Sequence, residues 1–235
     1  MAPKRRLPHR RWKALTTLWN HLLKDLRIEW RSREAVNSML FFALLVVVLF
    51  SLAFSPQGAF SQQISGGVIC VATLFASMSA LNQAWAREIR HQVLDAQRMA
   101  PTSGADLFLA KVLANFLFVS IVQLVLAPVF LVFYNLHVLG QAWLLALVLP
   151  LGTWALVANG TFFAALSIRS RNRELLLPLI LFPIFMPALL AMVLATGSIL
   201  TGDSDPILWI KLLAGYDIIF TTVSLLLFDV VFQAE

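Results

Sequence analysis

The stretch "SMLFFALLVVVLFSLAF", residues 38–54, decides the fold class because it contains no charged side chain. About 20 apolar residues in a helix are enough to cross the hydrocarbon core of a bilayer. Predominantly apolar runs recur at 64–86, 107–134, 143–168, 175–196 and 212–232. Only 13% of the chain is charged, about half the share found in soluble domains. We therefore predict an all-α, polytopic membrane protein with six transmembrane helices.

Lysine and arginine residues predict the orientation of these spans. Of the 18 in the chain, 17 lie before the first span or beside the loops that follow the second and fourth spans, and the remaining one is Lys211. Since positively charged loops stay in the cytoplasm, both termini are expected there. The net charge of +6 then suits anionic lipid headgroups rather than nucleic acid, for which the sequence has no recognition motif.

The segment before the membrane domain (38–235) divides into a basic cytoplasmic tail, residues 1–14, and a predicted amphipathic helix, residues 15–36. Apolar side chains recur there with helical period, at Leu15, Leu18, Trp19, Leu22, Leu23, Leu26 and Trp30. A helix of this kind, with interfacial tryptophans, is suited to the inner membrane surface. The alternative is an ordinary helix that packs on a partner protein.

A polar segment, "AREIRHQVLDAQRMAPTSGADLFLAK" at residues 86–111, interrupts the apolar chain. Its side chains separate onto two helical faces, with Ile89, Val93, Ala96 and Ala100 on one and Arg87, His91, Asp95 and Arg98 on the other. Pro101 should end this helix, and Ser103 with Asp106 resembles an N-terminal cap of the third span. The helix either couples a soluble protein to the spans or merely connects them, and periodicity leaves both open.

The sequence contains none of the short motifs that would supply chemistry of its own. No P-loop, no H-E-x-x-H zinc site and no G-x-S-x-G nucleophile occurs. We therefore predict no catalytic residue, no metal site and no directly bound cofactor. Cys70 is the single cysteine, which excludes an internal disulfide, and we expect it to be a packing residue.

Three spans carry polar or helix-bending residues that are candidates for a translocation or coupling role. An ionised carboxylate at membrane depth is unfavourable unless it is paired or wet, so Asp217 either lines a translocation surface or lies near the outer end, close to water. Asn159 is a second candidate. In the fifth span, Pro178, Pro183 and Pro187 each remove a backbone donor and bend the helix, which makes this span a moving part, a cavity wall or a static kink.

The order of amphipathic helix, six spans, cytoplasmic connector and absent P-loop resembles the membrane subunits of ABC-2-type exporters. In that family the connector after the second span carries a coupling helix that docks on a separate ATPase. The resemblance therefore implies that segment 87–106 couples to an ATPase, through Arg87, Glu88, Arg90, His91, Asp95 and Arg98.

Three stretches look more narrowly like the CcmB family, the permease subunits of the cytochrome c maturation system. They are "LAKVLAN", "RELLLPLILFPIFMPALL" and "WIKLLAGYDIIFTTVSLLLFDVV", and the likeness begins at about Leu15. The chain departs from the family pattern in its longer basic N-terminus. It also has "REIRHQVLDAQ" where related exporters carry an acidic, glycine-containing run.

The resemblance implies a permease for haem handling or export in the bacterial inner membrane, with haem as a possible substrate. ATP would bind a CcmA-like ATPase, and the implied partners are CcmC- and CcmD-like membrane proteins and, indirectly, a CcmE-like haem chaperone, in a homodimer or hetero-oligomer. His137, in an outer loop, is then a haem-ligand candidate or a plain interfacial side chain. Two alternatives stay open: an ABC-2-type permease for a lipid-linked glycan or a drug, and a membrane scaffold without transport.

Overall fold

The computed structural model describes residues 9–54, 59–90, 104–134, 142–167, 173–202 and 204–233. They form seven α-helices: α1 His9–Ser32, α2 Glu34–Ala53, α3 Ala59–Arg90, α4 Gly104–Tyr134, α5 Leu145–Leu166, α6 Arg173–Thr201 and α7 Ile207–Gln233. A short 3-10 helix, Ala142–Leu144, precedes α5. The last six α-helices are long and apolar enough to cross a membrane, and the described residues contain no strand. The predicted all-α, six-span fold class is confirmed.

The helices run past the apolar windows from which they were predicted. The first span begins at Glu34 rather than at residue 38, α3 continues through Ala86 to Arg90, and α7 begins at Ile207 rather than at residue 212. Backbone hydrogen bonding continues beyond the hydrocarbon boundary, whereas an apolar window detects only the part that lipid covers. At 31 and 32 residues, α4 and α3 are about 46 to 48 Å long, so they tilt or extend beyond a hydrocarbon core of about 30 Å.

Helix α1 is separate from the first span and packs on α4 and α2. Part of its apolar stripe packs on the bundle and part is exposed. Leu22 is buried and Leu26 partly buried against the bundle, while the side chains of Trp19 and Trp30 are 57% and 75% exposed. The chain turns at Arg33, the only described non-glycine residue with a positive φ, at 53°. The predicted helix before the first span is present, and its place at a membrane surface stays a prediction.

The spans pack closely because small residues lie where they cross. Helices α3 and α5 are the most buried spans, and their inner faces are rich in Gly, Ala, Ser and Thr. A Cβ added to Gly66 of α3 would lie only 2.8 Å from the backbone nitrogen of Gly197 in α6, and one added to Gly160 of α5 would collide with Leu81. Lipid tails give spans no hydrophobic reason to associate, so close van der Waals packing of this kind holds them together.

Candidate functional site

The end of the bundle at which α1 lies, here called the α1 end, includes the start of α2, the end of α3 and the start of α4. The helical backbone of α3 carries Arg87, Glu88 and Arg90 to this end as its last turn. His91, Asp95, Arg98 and the predicted cap residue Ser103 lie outside the described residues, whereas Asp106 lies in the first turn of α4. The separate coupling helix therefore stays a prediction.

An ion pair joins α1 to the base of α4. Lys111 Nζ lies 3.7 Å from Asp25 Oδ2, and Lys24 Nζ lies 3.3 Å from Asp25 Oδ1. The Lys111 side chain is only 2% exposed, against 21% for Asp25. Because a buried ammonium group is unfavourable without a counter-charge, this contact constrains where α1 can lie on α4.

A buried carboxylate caps the first span from the neighbouring helix. Glu29 of α1 is buried, and its Oε1 accepts hydrogen bonds from the backbone N–H groups of Ala35, at 2.8 Å, and Val36, at 3.0 Å. The residue at the cap position, Arg33, makes no side-chain cap bond. The first N–H groups of a helix lack intrahelical partners and carry partial positive charge, so Glu29 supplies the cap that Arg33 does not.

A neutral hydrogen-bond network links three spans inside the bundle. Asn159 Nδ2 donates to the carbonyl oxygen of Ala155 in α5, at 2.9 Å, and to the hydroxyl of Tyr216 in α7, at 3.2 Å. The Tyr216 hydroxyl donates in turn to the carbonyl oxygen of Ile184 in α6, at 2.8 Å. Asn159 thus lies at the junction of α5, α6 and α7; its role in translocation stays a prediction.

Asp217 follows Tyr216 and is only 7% exposed. Neither of its carboxylate oxygens has a hydrogen-bond partner among the described residues. It lies ten residues into α7, about 15 Å from the start of that helix at 1.5 Å per residue. The side chain therefore packs against other helices of the bundle, and its place near the outer end of the span stays a prediction. A role in translocation or coupling stays a prediction.

The prolines of the fifth span all lie on the outer surface of the bundle. Helix α6 runs unbroken from Arg173 to Thr201, and Pro178, Pro183 and Pro187 are exposed. Each proline deprives the carbonyl group four residues earlier of its intrahelical donor. These side chains therefore point away from the interior, and whether α6 moves stays a prediction.

A cavity of about 250 Å³ lies among α2, α3, α4 and α5, with Leu200 of α6 also in its lining, and does not include the Asn159 network. Its polar side chains are Thr73 and Gln123, which are hydrogen-bonded to each other at 3.0 Å. The remaining lining is apolar, and the volume is below the roughly 300 Å³ typical of the smallest pockets for drug-sized ligands. None of the predicted site residues lines it. His137 lies outside the described residues.

Comparison with known proteins identifies the family of this chain. The family model described as CcmB protein matches residues 16–232. This chain belongs to the CcmB family. The CcmB-family chain is 32% identical to heme exporter protein B of Rhodobacter capsulatus over 169 residues, which cover 72% of this chain and 77% of that relative. It is also 32% identical to heme exporter protein B of Pseudomonas aeruginosa over 193 residues, covering 81% and 86%.

Three residues of this CcmB-family chain make contacts that the sequence did not predict: Asp25, Glu29 and Tyr216. Lys111 was counted only as a charge beside a loop, although its place inside the predicted third span, 107–134, was a signal that it needs a counter-charge. Nothing in the sequence identifies Asp25 as that counter-charge, because α1 and α4 meet only in the folded chain. Tyr216 carried no signal apart from its neighbour Asp217.

Proposed function

We propose that this chain is the permease subunit of an ATP-driven transporter for haem handling or export in cytochrome c maturation. The observation that carries the proposal is the CcmB family match over residues 16–232, supported by relatives named heme exporter protein B. Because the sequence has no P-loop, ATP is hydrolysed on a separate, CcmA-like subunit. This chain is then a transporter subunit without an enzymatic site of its own.

In this proposal the α1 end faces the cytoplasm of a bacterium and the spans cross its inner membrane. The support is the distribution of positive charge: Lys211 is the one Lys or Arg that the sequence places in or beside an outer loop, and positive loops are retained in the cytoplasm. Because six is an even number of crossings, the C-terminus lies on the same side of the membrane as the N-terminus. The ATPase therefore meets the segment between α3 and α4.

ATP-driven closure of the ATPase is proposed to move segment 87–106 and with it the bases of α3 and α4. A nucleotide can shift the membrane equilibrium only through its different affinity for the open and closed ATPase states. The positive charges of Arg87, Arg90 and Arg98 steer docking more than they contribute to its affinity. Glu88, His91 and Asp95 complete the proposed contact.

The outer face of α6 supports a further membrane subunit in the complex. Pro183 and Pro187 weaken backbone hydrogen bonding on a face that also exposes Leu179, Phe182 and Met186. Since lipid offers no donor to the carbonyl groups that proline frees, a protein neighbour suits this face better than lipid alone. A second copy of this chain or a CcmC- or CcmD-like protein is the proposed neighbour, and a CcmE-like chaperone receives haem outside the membrane.

The test is complementation of a deletion strain, with c-type cytochromes measured by haem staining. The double variant Arg90→Glu with Arg98→Glu should uncouple ATP hydrolysis from cytochrome assembly: c-type cytochromes fall by about ten-fold, a typical coupling effect, while the purified complex still hydrolyses ATP. Arg169→Glu with Arg171→Glu, in the basic loop that follows the fourth span in the sequence, changes charge equally and is the matched control. Unchanged cytochrome assembly in the first variant would reject the proposed docking segment.

Two other outcomes identify the alternatives. A deletion strain that still makes c-type cytochromes would favour an ABC-2-type permease for another substrate. A complex whose ATPase rate is the same with and without this subunit would favour a scaffold that does not transport.

A further inference from the structure

Helix α1 is attached to the bundle through two acidic residues on one face. Asp25 and Glu29 are four residues apart and therefore lie above each other on the helix. Leu22 and Leu26 on the same side of α1 are buried and partly buried against the bundle. Trp19 and Trp30 point away from it, as their exposure shows. The face of α1 that meets the spans thus combines apolar packing with two carboxylates.

The first attachment fixes α1 to the helix that follows the proposed coupling segment. Lys111 lies seven residues, about two turns, inside α4, and its ammonium group faces Asp25 from a side chain that is 2% exposed. Removing Asp25 takes a counter-charge away from the buried Lys111 ammonium group, which is far less favourable than losing an exposed pair. Removing Lys111 leaves Asp25 paired with Lys24 at 3.3 Å but no longer held to α4. Any displacement of the base of α4 therefore tends to carry Asp25 with it.

The second attachment transfers the position of α1 to the first span. Glu29 holds the N–H groups of Ala35 and Val36, which begin α2. Between the two helices stands Arg33 with φ 53° and ψ 12°, a left-handed conformation that is unfavourable for a residue with a side chain. A single strained residue between two rigid helices has the geometry of a hinge, and strain is often located at such points.

We propose that α1 is a lever that links the proposed coupling segment to the first span. The Lys111–Asp25 ion pair holds α1 to the base of α4, and the Glu29 cap moves the start of α2 about Arg33. Lys111 and Asp25 are positioning residues, since they act through α2 and touch no substrate. The inference rests on the proposed function, which supplies the source of the movement. It adds the path by which that movement reaches α2, a span that is not next to the coupling segment in the sequence.

The first experiment removes one charge at a time in the assembled complex with its ATPase. Lys111→Met and Asp25→Asn should each lower c-type cytochrome output by about five-fold or more, the lower range of coupling effects, while ATP hydrolysis stays near the wild-type rate. Loss of structure alone would lower both. Lys24→Gln, beside the same carboxylate, and Lys211→Met, an exposed lysine at the opposite end, are controls that should keep wild-type output.

The second experiment restores the pair with its charges exchanged. Asp25→Lys with Lys111→Asp is made together with Lys24→Gln, so that the new lysine does not stand beside another. The lever requires that this variant recover at least part of the lost output. Single variants with wild-type output would overturn the proposal. An exchanged pair that stays as impaired as the single variants, although it accumulates and assembles with the ATPase, would also overturn it.

A third experiment measures distances between spin labels and leaves the ion pair intact. It tests the lever even if the charge variants do not accumulate. Spin labels replace exposed residues in a Cys70→Ala background, at Asn20 on α1, Leu117 on α4 and Leu227 on α7. On adding ATP to the complex, the distance from Asn20 to Leu117 should stay constant while the distance from Asn20 to Leu227 changes. A change in the first distance, or none in the second, would overturn the lever.

Failure of the lever can be told apart from failure of the proposed function. If Arg90→Glu with Arg98→Glu leaves cytochrome assembly intact, the docking segment is misplaced, whatever the labels show. If that variant uncouples the complex but the distance from Asn20 to Leu117 changes with ATP, coupling stands and α1 is not its path.

Discussion

The α1 end and the interior of the bundle are held together by different polar contacts. At the α1 end the contacts are charged: Lys111 pairs with Asp25, and the Glu29 carboxylate caps α2. In the interior they are neutral, joining Ser38 to Ser79, Thr73 to Gln123, Trp154 to Thr221 and Asn159 to Tyr216. The difference follows depth, because charges remain close to the headgroups and water while hydrocarbon tolerates only paired neutral groups.

The two regions should therefore respond differently to substitution. Hydrogen bonds between spans contribute little individually, since partners are also found in the unfolded state within the membrane, and interior stability depends mainly on close packing. At the α1 end a single carboxylate fixes the start of a span. Asp217 is the exception, a carboxylic acid inside the neutral region with no hydrogen-bond partner among the described residues.

The largest effect is expected for packing in the interior. Gly66→Ala places a Cβ against the backbone of Gly197, so α3 and α6 must separate, and we expect a loss of about 1 to 3 kcal/mol. Gly67→Ala meets no atom within 4 Å and is the matched control. Thermal unfolding of the two variants in detergent measures the difference. Equal midpoints would show that close contact between α3 and α6 is not what holds the interior.

An intermediate effect is expected for the charged cap at the α1 end. Glu29→Ala removes the acceptor for the Ala35 and Val36 N–H groups, which should lower the free energy of unfolding by about 1 to 2 kcal/mol, as for other helix caps. Glu34→Ala removes an exposed acid from the first turn of the same helix and should have a smaller effect. Hydrogen exchange at the start of α2 would report the loss. Equal exchange in both variants would contradict the cap.

The smallest effect is expected for the neutral network. Tyr216→Phe removes the hydroxyl between Asn159 and the Ile184 carbonyl, yet Asn159 keeps its bond to Ala155. We expect a loss of about 0.6 kcal/mol, the average for hydrogen bonds between spans. Thr222→Val, which removes an exposed hydroxyl bonded within its own helix, is the control. A loss from Tyr216→Phe as large as that from Gly66→Ala would show that the interior depends on its polar network rather than on packing.

The six spans could be predicted from the sequence because hydrocarbon imposes a minimum length of apolar helix, which any window of that length detects. The helix ends were less predictable: Glu34 and residues 87–90 continue helices beyond lipid, where no apolar signal marks the boundary. Asp217 and Asn159 were singled out as candidates because polar residues in spans are conspicuous, and their roles stay predictions. The burial of Asp217 was not found, because it depends on which face of α7 meets the bundle.

The amino-acid sequence by itself determined that this chain crosses the membrane, how many times it does so and, through its basic loops, which end is expected in the cytoplasm. Those properties follow from local composition, since each span must satisfy the bilayer on its own. Only the tertiary structure decided that Lys111 faces Asp25, that Glu29 caps a neighbouring helix and that Gly66 lies against Gly197. These contacts join residues far apart in the chain, and hydrophobicity is nearly uniform around most of the spans, so their rotation and partners are set by close packing between helices.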